Sequence, residues 1–299
     1  MKEQKTVLAF GFFDGLHVGH AALMERAKER AAALGATAAV LTFDNHPDTF
    51  VHGTPVELLN SARDRDYILR RFFGIDRVYY IHFNAETMRM DWREFLEHTV
   101  AQYHVAHFVV GHDFRFGDLG LGTAALLREY CAAHGLGCDV IPAVLRDGAV
   151  VSSTRIRELV RTGEIGKANE LLGHPHLLTD RVRSGFRLGR TMDYPTVNMR
   201  FEEGVLIPRR GVYAARVVLP DGTPKTAVTN VGVRPTFTDK GNDVTVESHI
   251  FDYDADLYGQ RLTVEFHAFL RPERPFASAE ELSAQIGRDA MAAKKYFEM

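Results

Sequence analysis

The fold this sequence predicts is an α/β domain followed by an antiparallel β-barrel that ends in a helix. Three observations predict it. The first half alternates short apolar runs with segments of helical period, which implies a parallel sheet covered by helices. The second half strings β-rich runs together with short turns, which implies antiparallel pairing. The last segment returns to helical period, with Leu282, Ile286, Ala290, Ala293 and Phe297 on one face.

In order, residues 6–10 (TVLAF) form a buried strand, and a helix runs over about 21–33. Residues 37–43 (TAAVLTF) are a second apolar strand. Asn60 or Ser61 caps a helix that lasts to Phe73, and residues 77–83 are a strand. Asp91 starts the next helix, 107–111 are a strand, 122–134 a helix and 138–143 a strand. Two short helices follow over 154–161 and 164–172. The texture then changes to VYAARVVL, TAVTNVGV, VTVESHIF and LTVEFHAFL, with a turn at Pro220-Asp221-Gly222 between the first two. The boundary falls near Gly173 to Leu178, giving domains 1–176 and 177–299.

Composition narrows the function classes. A chain of 299 residues with 45% apolar content suggests two domains with substantial cores. A net charge of -3 points away from nucleic acid and anionic membranes as partners. Cys131 and Cys138 make no metal or redox motif and read as reduced thiols. The N-terminus is no signal peptide, and no run approaches the roughly 20 apolar residues of a spanning helix. A soluble cytoplasmic protein with small-molecule partners is expected, its oligomeric state open but monomer favoured.

The chemistry concentrates in GFFDGLHVGH, residues 11–20, between the first strand and the first helix. His17 and His20, three apart at a helix start, lie on one face. The helix N-terminus offers unpaired N–H groups and partial positive charge, and Gly11, Gly15 and Gly19 let backbone come close to a ligand. Together these suit an anionic, phosphate-bearing ligand. A solvated or packed histidine pair is the bland alternative, and a metal pair lacks a third ligand. A second phosphate-facing string is VSSTRIR, residues 151–157, in which Ser152, Ser153 or Thr154 caps a helix and Arg155 and Arg157 offer bidentate donors.

With these two strings, the chain resembles the nucleotidyltransferases with a HxGH signature and a later Ser/Thr-Arg loop. More closely, it resembles the bacterial bifunctional riboflavin kinase/FMN adenylyltransferases, or FAD synthetases. The resemblance runs through TFDNHP, VVGHDFRFG, LLGHP, YPTVN, NVGVRPTF, VESHIFD, DLYG and FLRPERPF, nearly the whole chain. It implies a Rossmann-like nucleotidyltransferase domain followed by a β-barrel riboflavin kinase domain. In the first, FMN would attack the α-phosphorus of ATP and release pyrophosphate, with His17 and His20 stabilising the reacting phosphates. Ser153, Thr154 and Arg157 would hold the triphosphate. Gly11, Phe13, Gly19, His46, Asp113, Phe114 and Arg115 would lie near nucleotide or flavin. In the second, Pro195-Thr196-Val197-Asn198 resembles the PTAN signature, and Thr196 and Asn198 would supply oxygens to magnesium. Gly185 and Gly189 would let a loop hug phosphate. Glu247 would take the proton from the riboflavin 5′-hydroxyl as it attacks the γ-phosphorus of ATP.

Three departures from the family pattern stand out. After DFRFG this chain has DLGLGTAALL, residues 118–127, where the family often has a basic residue and Gly-Asp, so the family's flavin contacts do not carry over there. Asn45 replaces the first proline of Pro-His-Pro, which is expected to relax that loop. Asp193 replaces a glycine before the PTAN-like string and puts a carboxylate beside the triphosphate. Rival readings are an adenylyltransferase whose second domain only binds flavin, a non-catalytic flavin sensor, and a nucleic-acid-linked HxGH enzyme. Arg181, Arg183, Arg187 and Arg190 are too sparse and glycine-broken to favour the last.

Overall fold

A computed structural model describes residues 4–45, 56–183, 194–233 and 244–298. The chain forms two compact units. One comprises Met1–Leu58 and Arg65–Ser153, the other Leu59–Asp64 and Thr154–Met299.

The first unit is built on a five-stranded parallel sheet of β1 (Thr6–Phe10), β2 (Thr37–Phe43), β3 (Arg77–Ile81), β4 (Val105–Gly111) and β5 (Gly137–Ile141), in the order β3-β2-β1-β4-β5. Every residue of β1 is buried, as its unbroken apolar run requires of a central strand covered on both faces. Crossover helices α1 (Val18–Leu34), α2 (Ala62–Phe73), α3 (Trp92–Tyr103) and α4 (Ala124–Ala133) connect the strands. Asp91 caps its helix as expected, accepting from the backbone of Arg93 and Glu94, and Thr123, which the sequence reading placed inside the helix, caps α4 by accepting from Leu126. Ser61 Oγ accepts from Asp64 N at 3.1 Å while the Asp64 carboxylate accepts from Ser61 N, a reciprocal capping box. The core packs Leu8, Phe10, Leu41, Leu96, Phe108 and Leu127. Because all five strands run the same way, the loops after Phe10, Phe43 and Gly111 emerge at one end of the sheet. That is where open parallel sheets bind ligands.

In the second unit, α5 (Ser153–Thr162) and α6 (Ile165–Leu172) precede a six-stranded antiparallel sheet. Its strands are β6 (His176–Arg181), β7 (Val197–Met199), β8 (Gly211–Val218), β9 (Pro224–Val233), β10 (Val244–Ile250) and β11 (Arg261–Pro272), in the order β6-β11-β8-β9-β10-β7. A bridge between Arg183 and Asn198 then joins β7 to the residues just past β6, which closes the sheet into the expected barrel. The terminal helix α7 (Ala279–Glu298) packs on β8 and β9, with Ala290 and Ala293 buried against Val212, Ala214 and Val228. Of the face read from the sequence, Leu282, Ile286 and Phe297 are only half-buried.

Candidate functional site

The loop after β1 turns sharply. Phe13 (φ 57°), Gly15 (φ 77°) and Leu16 (φ 46°) all adopt left-handed backbone. Two of these are not glycine, so the turn stores strain of the kind found at ligand-binding loops. It delivers the chain to α1, which starts at Val18, three residues earlier than expected. His17 therefore precedes the helix, with extended backbone (φ −69°, ψ 174°), and only His20 lies on it. The pair still meets. The two imidazoles stack with centroids 3.7 Å apart and planes 15° apart, and Phe13 abuts His20 edge to face at 5.2 Å. No side chain caps α1, so the start of the helix keeps its donor face.

The glycines of the loop serve its own side chains first. A Cβ on Gly19 would lie 2.9 Å from His17 Cε1, and one on Gly11 would lie 3.0 Å from the Phe13 ring. Both therefore make room for rings of the loop itself, a closer constraint than the ligand approach expected of them. The Nδ1 of His20 is sealed from water without a hydrogen-bond partner. Burial, and secondarily the neighbouring His17, holds the His20 pKa well below the usual imidazole range. Near neutral pH this ring is uncharged.

One residue that organises the loop was not read from the sequence. Arg65, on α2, is fully buried. Its guanidinium donates to Phe12 O (3.0 Å), Thr42 Oγ1 (3.1 Å) and Phe43 O (2.8 Å), tying the loop after β1 to the end of β2. Thr42 Oγ1 also donates to Phe12 O at 2.7 Å. The loop that Asn45 was expected to relax lies outside the described residues from His46 on, but Asn45 itself is held. Its amide donates to Phe83 O (2.7 Å) and accepts from Phe83 N (2.9 Å), a two-way clasp. Ser153 Oγ donates to Asp14 O at 2.9 Å, which ties Ser153, the last residue of the first unit, to the histidine loop. Thr154 is exposed and Arg157 half-buried on α5, which belongs to the second unit from Thr154 onward. Beyond β4, Asp113 and Arg115 are exposed, whereas Phe114 turns into the core against Phe10 (4.6 Å) and Phe116 (5.2 Å). His46 lies outside the described residues.

In the second unit, strand register assembles the other candidates. Glu247 on β10 stands opposite Asn198 on β7 and opposite Asn230 on β9. Directly opposed residues share a face, with Cβ atoms about 5 Å apart. Asn198, Glu247 and Asn230 thus form one polar row across three strands. Asn230 was not singled out from the sequence, where it is one polar residue in an apolar run. His249 Nδ1 bonds the Pro195 carbonyl at 2.9 Å, which fixes the start of the Pro195-Thr196-Val197-Asn198 string against β10. Thr196 and Asn198 line a cavity with Tyr253, Asp254, Asp256 and Tyr258. The donor set there is all oxygen and mostly neutral. It fits a hard divalent cation that completes its shell with phosphate oxygens, as magnesium does. Among the described residues no group of three or more His, Cys, Asp or Glu side chains could hold a metal by itself. Gly185, Gly189 and Asp193 lie outside the described residues.

Comparison with known proteins gives a consistent picture. Family profiles match residues 1–155 as FAD synthetase and 172–297 as riboflavin kinase. A bifunctional riboflavin kinase/FMN adenylyltransferase from Pseudomonas fluorescens is 35% identical over 96% of this chain and 92% of its own length. One from Listeria monocytogenes is 32% identical over 97% of this chain and 92% of its own. A crystal structure from Streptococcus pneumoniae, described as a macrolide-efflux protein, superposes with a TM-score of 0.81 at 28% identity, covering 97% of this chain and 93% of that one. Among the described residues no helix is long and apolar enough to cross a membrane.

Proposed function

The chain belongs to the family of bifunctional riboflavin kinase/FMN adenylyltransferases, and from that premise we propose how its residues divide the two reactions. It is an enzyme that phosphorylates riboflavin with ATP to FMN, then adenylylates FMN with a second ATP to give FAD and pyrophosphate.

For adenylylation, the attacking FMN phosphate is already an anion, so no strong base is required and the work is positioning and charge stabilisation. His17 and His20 take the α- and β-phosphate region over the start of α1. An arriving phosphate places negative charge beside the imidazoles, which raises their proton affinity as charge builds on the leaving pyrophosphate. Gly11 and Gly19 keep Phe13 and His17 in place for this. Ser153, Thr154 and Arg157 hold the triphosphate from the other string. His46, Asp113 and Arg115 act as nucleotide or flavin contacts. The observation that carries the reading is the stacked imidazole pair at an uncapped helix start.

For phosphorylation, Glu247 accepts the proton of the riboflavin 5′-hydroxyl as that oxygen attacks the γ-phosphorus and ADP leaves. The polar row supports this role, because Asn198 and Asn230 flank the carboxylate on both sides. Thr196 and Asn198 would hold magnesium, which when bound neutralises triphosphate charge. Gly185 and Gly189 are assigned to the phosphate-hugging loop. The functional boundary is placed between residues 176 and 177. A cytoplasmic monomer without a nucleic-acid partner completes the proposal. Chromatographic analysis of products from riboflavin, ATP and magnesium tests it: FMN rises before FAD. Absence of FMN would remove the kinase assignment, and failure to convert supplied FMN would remove the other.

A further inference from the structure

On β9, Asn230 and Gly232 are two residues apart and so share a face, the face on which Asn230 meets Glu247. Gly232 has no side chain, and a carboxylate fills the space one would take. A Cβ there would lie 1.9 Å from Glu273 Oε1 and 2.8 Å from Asn230 Nδ2. Glu273 follows the end of β11 and reaches over the bare backbone of Gly232 toward the Asn230 amide. It remains exposed. The basic side chains beside it in sequence are engaged elsewhere. Arg271 forks onto Asp289 at 2.6–3.0 Å, and Arg274 meets Gln285 at 3.0 Å and Glu281 at 3.5 Å. An ion pair with either therefore does not explain where the Glu273 carboxylate sits.

Resting on the kinase reading above, we propose that Glu273 is a positioning residue for riboflavin, accepting hydrogen bonds from the ribityl hydroxyls and so aligning the 5′-hydroxyl on Glu247. A carboxylate is an acceptor only, and a polyol chain offers the matching O–H donors. Two residues along a strand span about 6.7 Å, comparable to the length of a ribityl chain. With the 5′-hydroxyl at the Glu247 row, hydroxyls nearer the ring fall at the Gly232 level, with the Asn230 amide between. Gly232 is then the seat that keeps the carboxylate in place. Its φ is not left-handed, so alanine is tolerated by the backbone and acts by displacing Glu273 and pressing on the Asn230 amide, which makes the two Glu273 variants the cleaner test.

The full-length chain and its Glu273→Ala, Glu273→Gln and Gly232→Ala variants test this. Flavin fluorescence titrations without ATP or magnesium compare riboflavin with lumiflavin, which has the same ring but a methyl group in place of the ribityl chain. The expected result is a riboflavin Kd raised about tenfold in Glu273→Ala, the scale of a lost charge-assisted hydrogen bond. Glu273→Gln and Gly232→Ala shift it in the same direction by less, and lumiflavin binding does not move. The KM for riboflavin rises with Kd, while FMN-to-FAD conversion stays at the wild-type rate. Unchanged riboflavin affinity in both Glu273 variants overturns the proposal. So do equal losses for riboflavin and lumiflavin, or a change confined to the magnesium requirement. Should Gly232→Ala misfold, the two Glu273 variants decide alone. A wild-type chain that makes no FMN would instead sink the kinase reading itself.

Discussion

His176 offers a stability test that needs no substrate. It opens β6 and is 1% exposed, and neither ring nitrogen has a hydrogen-bond partner. Its ring lies 5.8 Å from that of Phe266. Burial, and secondarily His174, pushes its pKa down to about 4 from an ordinary 6.5. The folded state therefore binds fewer protons than the unfolded state between these values, and stability must fall as pH falls through that window. The shift of about 2.5 units corresponds to about 3.4 kcal/mol in full, of which about 2.4 kcal/mol appears between pH 7 and pH 4.5. Asp64 opposes it. Its buried carboxyl accepts from Thr179 N at 2.7 Å and from Ser61, yet burial dominates and raises its pKa to about 6. A raised carboxyl contributes stability that is present below 3.8 and lost as pH rises through 6. These two contributions largely cancel each other, and other shifted groups such as His20 add to the wild-type curve, so the informative quantity is a difference. In urea titrations followed by circular dichroism, His176→Leu differs from wild type by some constant packing offset plus a pH-dependent part. That part should favour the variant by about 2 kcal/mol more at pH 4.5 than at pH 7. Parallel pH profiles for the two proteins would refute the assignment of a neutral, unpartnered His176.

Other expectations follow from the first unit. Arg65→Met removes a donor shared by Phe12 O, Thr42 and Phe43 O, and should destabilise the protein by about 3 kcal/mol, read from urea midpoints, while slowing FAD formation more than FMN formation. Gly19→Ala places a methyl 2.9 Å from His17 Cε1 and should lower the rate of FMN adenylylation tenfold or more, with riboflavin phosphorylation unchanged in the same preparation. Glu247→Gln should reduce riboflavin phosphorylation by about 10²–10⁴ while FMN supplied directly is still converted to FAD.

Buried parallel strands and capped helices were legible because their signals are local. An apolar run such as residues 6–10, or a serine such as Ser61 just ahead of a helix, carries its meaning without tertiary context. The histidine pair was legible as a pair but not as a geometry. Spacing placed both on one helix face, whereas the stack arises because His17 holds extended backbone just before the helix. Arg65 was invisible, since an arginine in SARDRDYILRR reads as a solvated helix residue until the fold buries it beneath two loop carbonyls. Asn230 and Glu273 were hidden for a related reason. Their place beside Glu247 depends on strand register and on an empty glycine position, neither of which a single sequence displays. The clasp of Asn45 on the Phe83 backbone was likewise hidden, because it joins positions 38 residues apart in the chain.

The most direct test of two independent sites on one chain is a paired product time course. His20→Ala and Glu247→Gln are each supplied with riboflavin, ATP and magnesium, and separately with FMN in place of riboflavin. The expected result is that His20→Ala accumulates FMN and makes no FAD from either flavin, while Glu247→Gln makes FAD only when given FMN. Simultaneous loss of both conversions in either folded variant would contradict the account.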